Sequence, residues 1–99
     1  MFFGNKIRSL RENKGLVLRQ VAAVIEVDTA TISKIERGDR QAKEEQLELL
    51  AKLLYADIEE LKTLWLAEKV YQTVKGKVEA KDALKKVIGI MGTKEKATA

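Results

Sequence analysis

Apolar residues recur along this chain at spacings of three and four, which is the period of an amphipathic α-helix. Ile32 and Ile35 form such an apolar side in one segment, and Val21 and Ala22 do so in the segment before it. We predict these four residues in the core. Proline, which breaks helices, is absent. Predicted helices cover roughly residues 4–14, 16–25, 29–37, 43–55, 58–76 and 79–91. The pattern therefore predicts an all-α fold.

The second and third predicted helices are short and are separated by three residues, Glu26-Val27-Asp28. Asp28 stands where a side-chain oxygen can accept a hydrogen bond from the first turn of the third helix. Gly38 follows the third helix, where a glycine commonly ends a helix. Two short helices with such a turn are typical of a helix-turn-helix unit, whose second helix can lie in the major groove of DNA.

The distribution of charge favours a nucleic-acid partner for this part of the chain. The whole chain has 19 basic and 15 acidic residues, hence a net charge of +4. Residues 1–40 contain eight basic and five acidic residues, a net charge of +3, and they include every arginine. Because the planar guanidinium group suits phosphates and guanine edges, this clustering indicates a face that binds nucleic acid.

Most catalytic chemistry is excluded by composition. Cysteine and histidine are both absent, which removes disulfides, thiolate or imidazole metal sites and Ser-His triads. We therefore expect neither an enzyme nor a protein that holds a metal or cofactor. No apolar run approaches the roughly 20 residues that are needed to span a bilayer. The amino end also lacks the charged segment followed by an apolar segment and a cleavage site that marks a secretion signal. We expect a cytoplasmic protein that does not associate with membranes.

The segments from Leu16 to Ala22 and from Thr31 to Gly38 together resemble the Cro/C1 repressor-type, or XRE, family of bacterial transcriptional regulators. The resemblance covers about residues 4 to 60. It implies a five-helix, lambda-repressor-like DNA-binding domain, here with an additional C-terminal helix. Such proteins usually act as homodimers at a palindromic operator, in association with the nucleoid. A controller protein of a restriction-modification system is similar in size and motif, although no residue selects this role over that of a phage-type repressor.

The resemblance also implies roles for individual residues. Thr29, Ala30 and Lys34 occupy the outward positions of the recognition helix that usually meet base edges. Contacts with backbone phosphates are expected from five side chains, namely Arg19, Gln20, Arg37, Arg40 and Lys43. Arg11 and Glu36 match the ion pair that ties the first helix to the third in this family.

Three positions depart from the family pattern. Val17 and Leu18 stand where the family usually has a polar N-cap and a phosphate-binding glutamine, so Arg19 or Gln20 is expected to take over that contact. Glu26 stands where the family prefers glycine in the turn. Either Glu26 accepts left-handed geometry or the turn adjusts.

The expected organisation is a helix-turn-helix domain over residues 1–76 that includes a long fifth helix, a C-terminal helix over 77–91 and a flexible tail over 92–99. The apolar stripes of the last two helices extend beyond what the family core requires, so they either complete the monomer or join two monomers. Candidate dimer contacts are Trp65, Tyr71, Val74, Leu84, Val87 and Ile88.

Our leading hypothesis is a dimeric, sequence-specific regulator that binds double-stranded DNA. The rival hypothesis is a protein-interaction module, an antitoxin or an adaptor, that uses the same fold while its C-terminal stripe grips a partner. Such a module would not depend on the charges of Lys34 and Arg37.

Overall fold

The computed structural model of the chain describes the backbone of residues 1–98 and the side chains of residues 1–92, and every regular element within this range is an α-helix. The helices are α1 (Phe2–Asn13), α2 (Leu18–Val24), α3 (Thr29–Arg37), α4 (Glu44–Leu54), α5 (Ile58–Val74) and α6 (Ala80–Thr98). The predicted all-α fold with an additional C-terminal helix is confirmed. Helix α3 has the predicted bounds because Asp28 caps its start and Gly38 ends it.

The predicted end of the last helix at residue 91 is wrong, because α6 extends to Thr98. Gly15, Gly38 and Gly76 take the left-handed conformation that follows a helix end, whereas Gly89 and Gly92 do not take positive φ angles. Ala99 and the side chains of residues 93–98 lie outside the described part of the chain. The expected flexibility of residues 92–99 stays a prediction.

The chain divides into two compact units, Met1–Lys69 and Val70–Ala99, and the division falls inside α5. Our sequence-based boundary after residue 76 lies further along the chain. No described helix combines the length and the apolar character that crossing a membrane would require.

The core of the first unit is formed by residues from α1 to α5. Val21, Ala22, Ile32 and Ile35 are all buried, as their periodicity predicts. The other buried apolar residues are Phe3, Ile7, Ile25, Ala42, Leu47, Leu50, Ala51, Leu54, Leu61 and Trp65. Helix α3 contacts both α1 and α2. The apolar side of α3 is therefore buried inside the domain, and its other side is exposed to solvent.

Trp65 belongs to this core, so its assignment to a dimer interface was wrong. The side chain is 8% exposed, and its indole Nε1–H donates a hydrogen bond of 2.7 Å to the carbonyl oxygen of Ala42. A buried tryptophan needs such a partner for its single polar group. Helical periodicity alone does not distinguish a core position in one monomer from a contact between two monomers.

Gly4 allows α1 to approach the end of α3 very closely. A Cβ atom added at Gly4 would lie 2.5 Å from the carbonyl oxygen of Ile35 and closer still to that of Glu36. These neighbours are backbone atoms, which do not rotate away as a flexible side chain does. The close approach therefore fixes where α3 lies, and it depends on the absence of a side chain at one position in α1.

Replacing Gly4 by Ala should lower the free energy of unfolding by about 1–3 kcal/mol, because the added methyl group overpacks the contact between α1 and α3. Gly89→Ala is the matched control, since an added Cβ there meets no atom within 4 Å and alanine favours the helix. Urea unfolding at one protein concentration measures both changes. Equal effects of the two substitutions would show that α1 and α3 are not in close contact at Gly4.

In the second unit, none of the described side chains from residue 70 to residue 92 is buried. Among the predicted dimer contacts, Tyr71, Val87 and Ile88 are exposed, and Val74 and Leu84 are half-buried. Ile90 and Met91 add to the exposed apolar surface of α6. Val87, Ile88, Ile90 and Met91 of α6 are therefore accessible to another molecule.

Candidate nucleic-acid interface

Helices α2 and α3 and the residues between them form the helix-turn-helix unit. Asp28 has extended backbone geometry, and its Oδ1 accepts a hydrogen bond of 2.7 Å from the backbone N–H of Thr31. Gly38, with a φ of 82°, ends α3 in the left-handed conformation that glycine adopts without strain. Both ends of α3 are thus determined by single residues of suitable chemistry.

Helix α3 separates its buried residues from the predicted base contacts. Ile32, Ile35 and Glu36 are buried, whereas Thr29, Ala30 and Lys34 are exposed. At about 100° per residue, the three exposed residues share one side of the helix. The lysine ammonium can donate to guanine O6 or N7, the threonine can donate, accept or touch a thymine methyl, and the alanine offers apolar contact. This side of α3 is the outward face.

Arg37 also lies on the outward face, where it already has two partners. Its Nε is 3.1 Å from Oδ2 of Asp39, and its Nη1 donates a hydrogen bond of 2.9 Å to Oγ of Ser33. The pair with Asp39 is exposed, and exposed ion pairs are weak enough to be exchanged for another anion. The guanidinium is therefore oriented in advance, and a phosphate that binds it would displace Asp39.

Sequence reasoning had assigned no role to Ser33 and Asp39. Ser33 precedes Arg37 by four residues, so the two side chains meet on one side of the helix. Asp39 follows Gly38, whose left-handed geometry turns the chain at this point. The contact between Ser33 and Arg37 can be predicted from their spacing of four residues in a helix. The pair between Arg37 and Asp39 cannot be predicted in this way, because it depends on the left-handed geometry of Gly38.

Basic and acidic side chains both lie near the start of α3. Hydrogen bonds from the hydroxyl and the backbone N–H of Thr31 lower the pKa of Asp28, and the positive charges of Lys34 and Arg40 lower it further. Arg40 and Lys43 are exposed and line a common concavity of about 410 Å³ together with Glu26. The structure thus brings Arg40 and Lys43, two of the predicted phosphate contacts, to one surface.

The start of α2 shows how the chain replaces the family's usual residues. Val17 has no side chain that can cap a helix, and only the reciprocal contact of a capping box is present, because Oε1 of Gln20 accepts a hydrogen bond of 2.8 Å from the backbone N–H of Val17. Leu18 packs against the core and does not serve as a phosphate contact. The Nε2 of Gln20 is the part of the amide that is suited to donate to a phosphate.

Arg19, the second candidate at this helix end, is exposed. It lines a concavity of about 480 Å³ with Arg11 and Thr29. The start of α2 and the start of α3 are therefore adjacent on the surface. A phosphate beside Thr29 would lie near Arg19, because both residues line this concavity. Arg19 therefore lies next to the outward face of α3.

The Arg11 and Glu36 side chains form the predicted ion pair. Arg11 Nε is 2.7 Å from Oε2 of Glu36, and Arg11 Nη2 donates a second hydrogen bond of 3.1 Å to Oε1. The side chains are 13% and 6% exposed. The hydrogen bond with Glu36 raises the pKa of Arg11, so the guanidinium stays charged. Its Nη1 also donates to the carbonyl oxygen of Leu16 at 2.8 Å, which joins α1, α3 and the entry to α2.

Glu26 accepts the left-handed geometry that the turn demands, with a φ of 59°. The turn therefore keeps the left-handed geometry that the family obtains with glycine, although Glu26 has a side chain. Left-handed backbone geometry costs an ordinary L-residue roughly 1–2 kcal/mol. The turn between α2 and α3 thus stores strain at an exposed position.

Replacing Glu26 by Gly should raise the free energy of unfolding by about 0.5–1 kcal/mol, since the relief of left-handed strain exceeds the added freedom of the unfolded chain. Glu26→Ala is the control, because it removes the carboxylate and keeps the strain. Thermal or urea unfolding of both variants measures the difference. A glycine variant no more stable than the alanine variant would contradict a strained turn.

A sequence model of the family described as the helix-turn-helix domain matches residues 3–64. Comparisons with curated proteins and with solved structures each give no significant match. The matched range contains α2, the turn and α3 together with the core helices that support them. It agrees with the resemblance to the Cro/C1 type that the residues had indicated. The chain therefore belongs to the helix-turn-helix family of DNA-binding domains.

Proposed function

We propose that this protein is a sequence-specific regulator of transcription that binds double-stranded DNA through the outward face of α3. The observation that carries the proposal is the separation on α3, where Thr29, Ala30 and Lys34 are exposed while Ile32 and Ile35 are buried. A helix placed in this way can enter a major groove while its other side holds it to the domain. The proposal includes no catalytic step, metal or cofactor.

In this account two sets of side chains have different tasks. Lys34 and Thr29 would read base edges, and Ala30 would add an apolar contact. Arg19, Gln20, Arg37, Arg40 and Lys43 would contact phosphates, which set the register of the protein on the duplex. The exposure of Arg19, Gln20, Arg37, Arg40 and Lys43 supports this assignment.

The proposal extends to a homodimer at a palindromic operator. Val87 and Ile88 give α6 an exposed apolar surface, and a symmetric dimer is the commonest way to cover such a surface in a soluble protein. Two recognition helices in a symmetric dimer would read half-sites about 34 Å apart, one turn of the DNA. Tyr71, Val74 and Leu84 remain candidate contacts in this interface.

Within this class, a controller of a restriction-modification system and a phage-type repressor are both compatible with the fold and the site. Either protein would act at the bacterial nucleoid in the cytoplasm. The alternative from another class, an antitoxin or an adaptor, is favoured by the same exposed apolar residues of α6, which a different protein could cover. It differs from the first proposal because the activity of such a module would not depend on the charge of Lys34.

Replacing Lys34 by Ala should relax the preference for the operator by about 1–3 kcal/mol at one base pair, because a donor to the base edge is lost. Replacing Arg40 by Ala should weaken all duplexes equally and reduce the salt slope of binding by about 1. Fluorescence anisotropy with operator and scrambled duplexes at several salt concentrations separates the two effects.

Lys52→Ala serves as the control, since Lys52 is exposed on α4, outside the helix-turn-helix unit. It should alter neither preference nor salt slope. Equal losses on every duplex for Lys34→Ala and Arg40→Ala would refute the base-reading role of Lys34. Absence of duplex binding by the parent protein would favour the protein-interaction module.

A further inference from the structure

The net charge of the chain is concentrated in its second unit. Of the 19 basic and 15 acidic residues, 12 of each lie in residues 1–69, so this unit has no net charge. The remaining seven basic and three acidic residues lie in residues 70–99, which give the full +4. The unit that contains the helix-turn-helix is therefore neutral, although a DNA duplex is the polyanion that it is proposed to bind.

The two units also differ in the kind of cation they use. All the arginines lie in the first unit, and every basic residue of the second unit is a lysine. Arginine makes planar, bidentate contacts with defined acceptors, whereas lysine is a compact and strongly hydrated point charge. The first set suits contacts of fixed geometry, and the second suits attraction to phosphates without fixed geometry.

Five of these lysines lie within the described part of the second unit and form what we term the lysine cluster: Lys75, Lys77, Lys81, Lys85 and Lys86. All five side chains are exposed, and none of them forms an ion pair with a described residue. Within the described part of the chain, the charges of the lysine cluster thus take part in no ion pair.

The lysines of α6 and its apolar residues are only partly separated. At about 100° per residue, Lys81, Lys85 and Lys86 lie within one arc of about 140°, and Leu84 and Val87 lie outside it. Ile88 projects within about 20° of Lys81. A second copy of the chain that covers Leu84 and Val87 would leave Lys85 and Lys86 accessible, so binding of an anion by these two lysines is compatible with such a dimer.

We propose that the lysine cluster binds DNA phosphates independently of sequence and supplies most of the electrostatic affinity of this protein for the duplex. The inference rests on the proposed function, since the helix-turn-helix unit is what brings the chain to DNA. Duplex DNA carries one negative charge per about 1.7 Å, and each neutralised phosphate releases condensed counterions. Covalent linkage of the two units makes the second contact intramolecular, which raises its effective concentration.

The test is a five-fold variant of the full chain in which Lys75, Lys77, Lys81, Lys85 and Lys86 are each replaced by Gln. Its affinity for a random duplex and for the selected operator should fall by the same factor, about 1,000-fold or more at 0.1 M salt. The salt slope should fall by about 3 to 4.5, since each phosphate contact contributes about 0.9. The ratio of operator to random affinity should stay as in the parent protein.

The matched control replaces the same five lysines by Arg, which keeps the charge and should restore the affinity and the salt slope. Circular dichroism and sedimentation velocity on all three proteins establish that fold and oligomeric state are the same. A Gln variant that keeps both its affinity for random duplex and its salt slope would overturn the proposal.

A parallel measurement uses vesicles of phosphatidylcholine and phosphatidylglycerol, because a basic amphipathic helix also suits an anionic membrane. If the parent binds these vesicles, the Gln variant does not, and binding to DNA is unchanged by the substitutions, the partner is a membrane surface and the DNA proposal is overturned. Failure of the proposed function would give a different result, because the parent protein would then bind all duplexes without preference among sequences. The effect of the lysine substitutions on binding to random duplex would still be measurable in that case.

Discussion

The ion pair between Arg11 and Glu36 is the interaction on which the position of α3 depends. Both carboxylate oxygens of Glu36 are bound by one guanidinium, whose remaining Nη1 reaches the carbonyl oxygen of Leu16. Loss of a single partner from a buried pair leaves a buried charge without compensation, a cost of about 3–5 kcal/mol. Gly4 adds a steric constraint at the same place, because α1 approaches the backbone of Glu36 there. Side chain and backbone of one residue in α3 are thus both held by α1, which leaves the opposite side of the helix free for a ligand.

Part of this arrangement could be predicted from sequence because it rests on local rules. Asp28 and Gly38 have the chemistry of a helix start and a helix end, and the spacing of Ile32 and Ile35 identifies the buried side. Trp65 could not be placed in this way, because its partner, the carbonyl oxygen of Ala42, is distant in sequence. The capping role of Gln20 and the pair of Arg37 with Asp39 also depend on loop geometry that periodicity does not contain. The Arg11 and Glu36 pair was expected from a family resemblance, since no local rule links residues this far apart.

In the proposed account, the two units would make complementary contributions to DNA binding. The first is electrically neutral and presents a helix held in a defined orientation, which suits the reading of base edges. The second contains the excess positive charge, and the lysine cluster within its described part is exposed, which suits attraction without sequence preference. Separate sources for affinity and specificity allow either to change through substitutions in one unit alone. The exposed Glu26 and Asp39 beside α3 fit this proposal, because carboxylates near the outward face would weaken nonspecific attraction to phosphates.

The most direct test of the central claim is the selection of duplexes from a random-sequence library by the full-length protein, followed by sequencing. The account predicts enrichment of an inverted repeat whose half-site centres are one helical turn apart, about 34 Å. It also predicts that a protein with alanine at Thr29 and Lys34 no longer enriches that repeat. Recovery of no preferred sequence, or of the same repeat by the substituted protein, would contradict the assignment of the outward face of α3 as the surface that reads DNA.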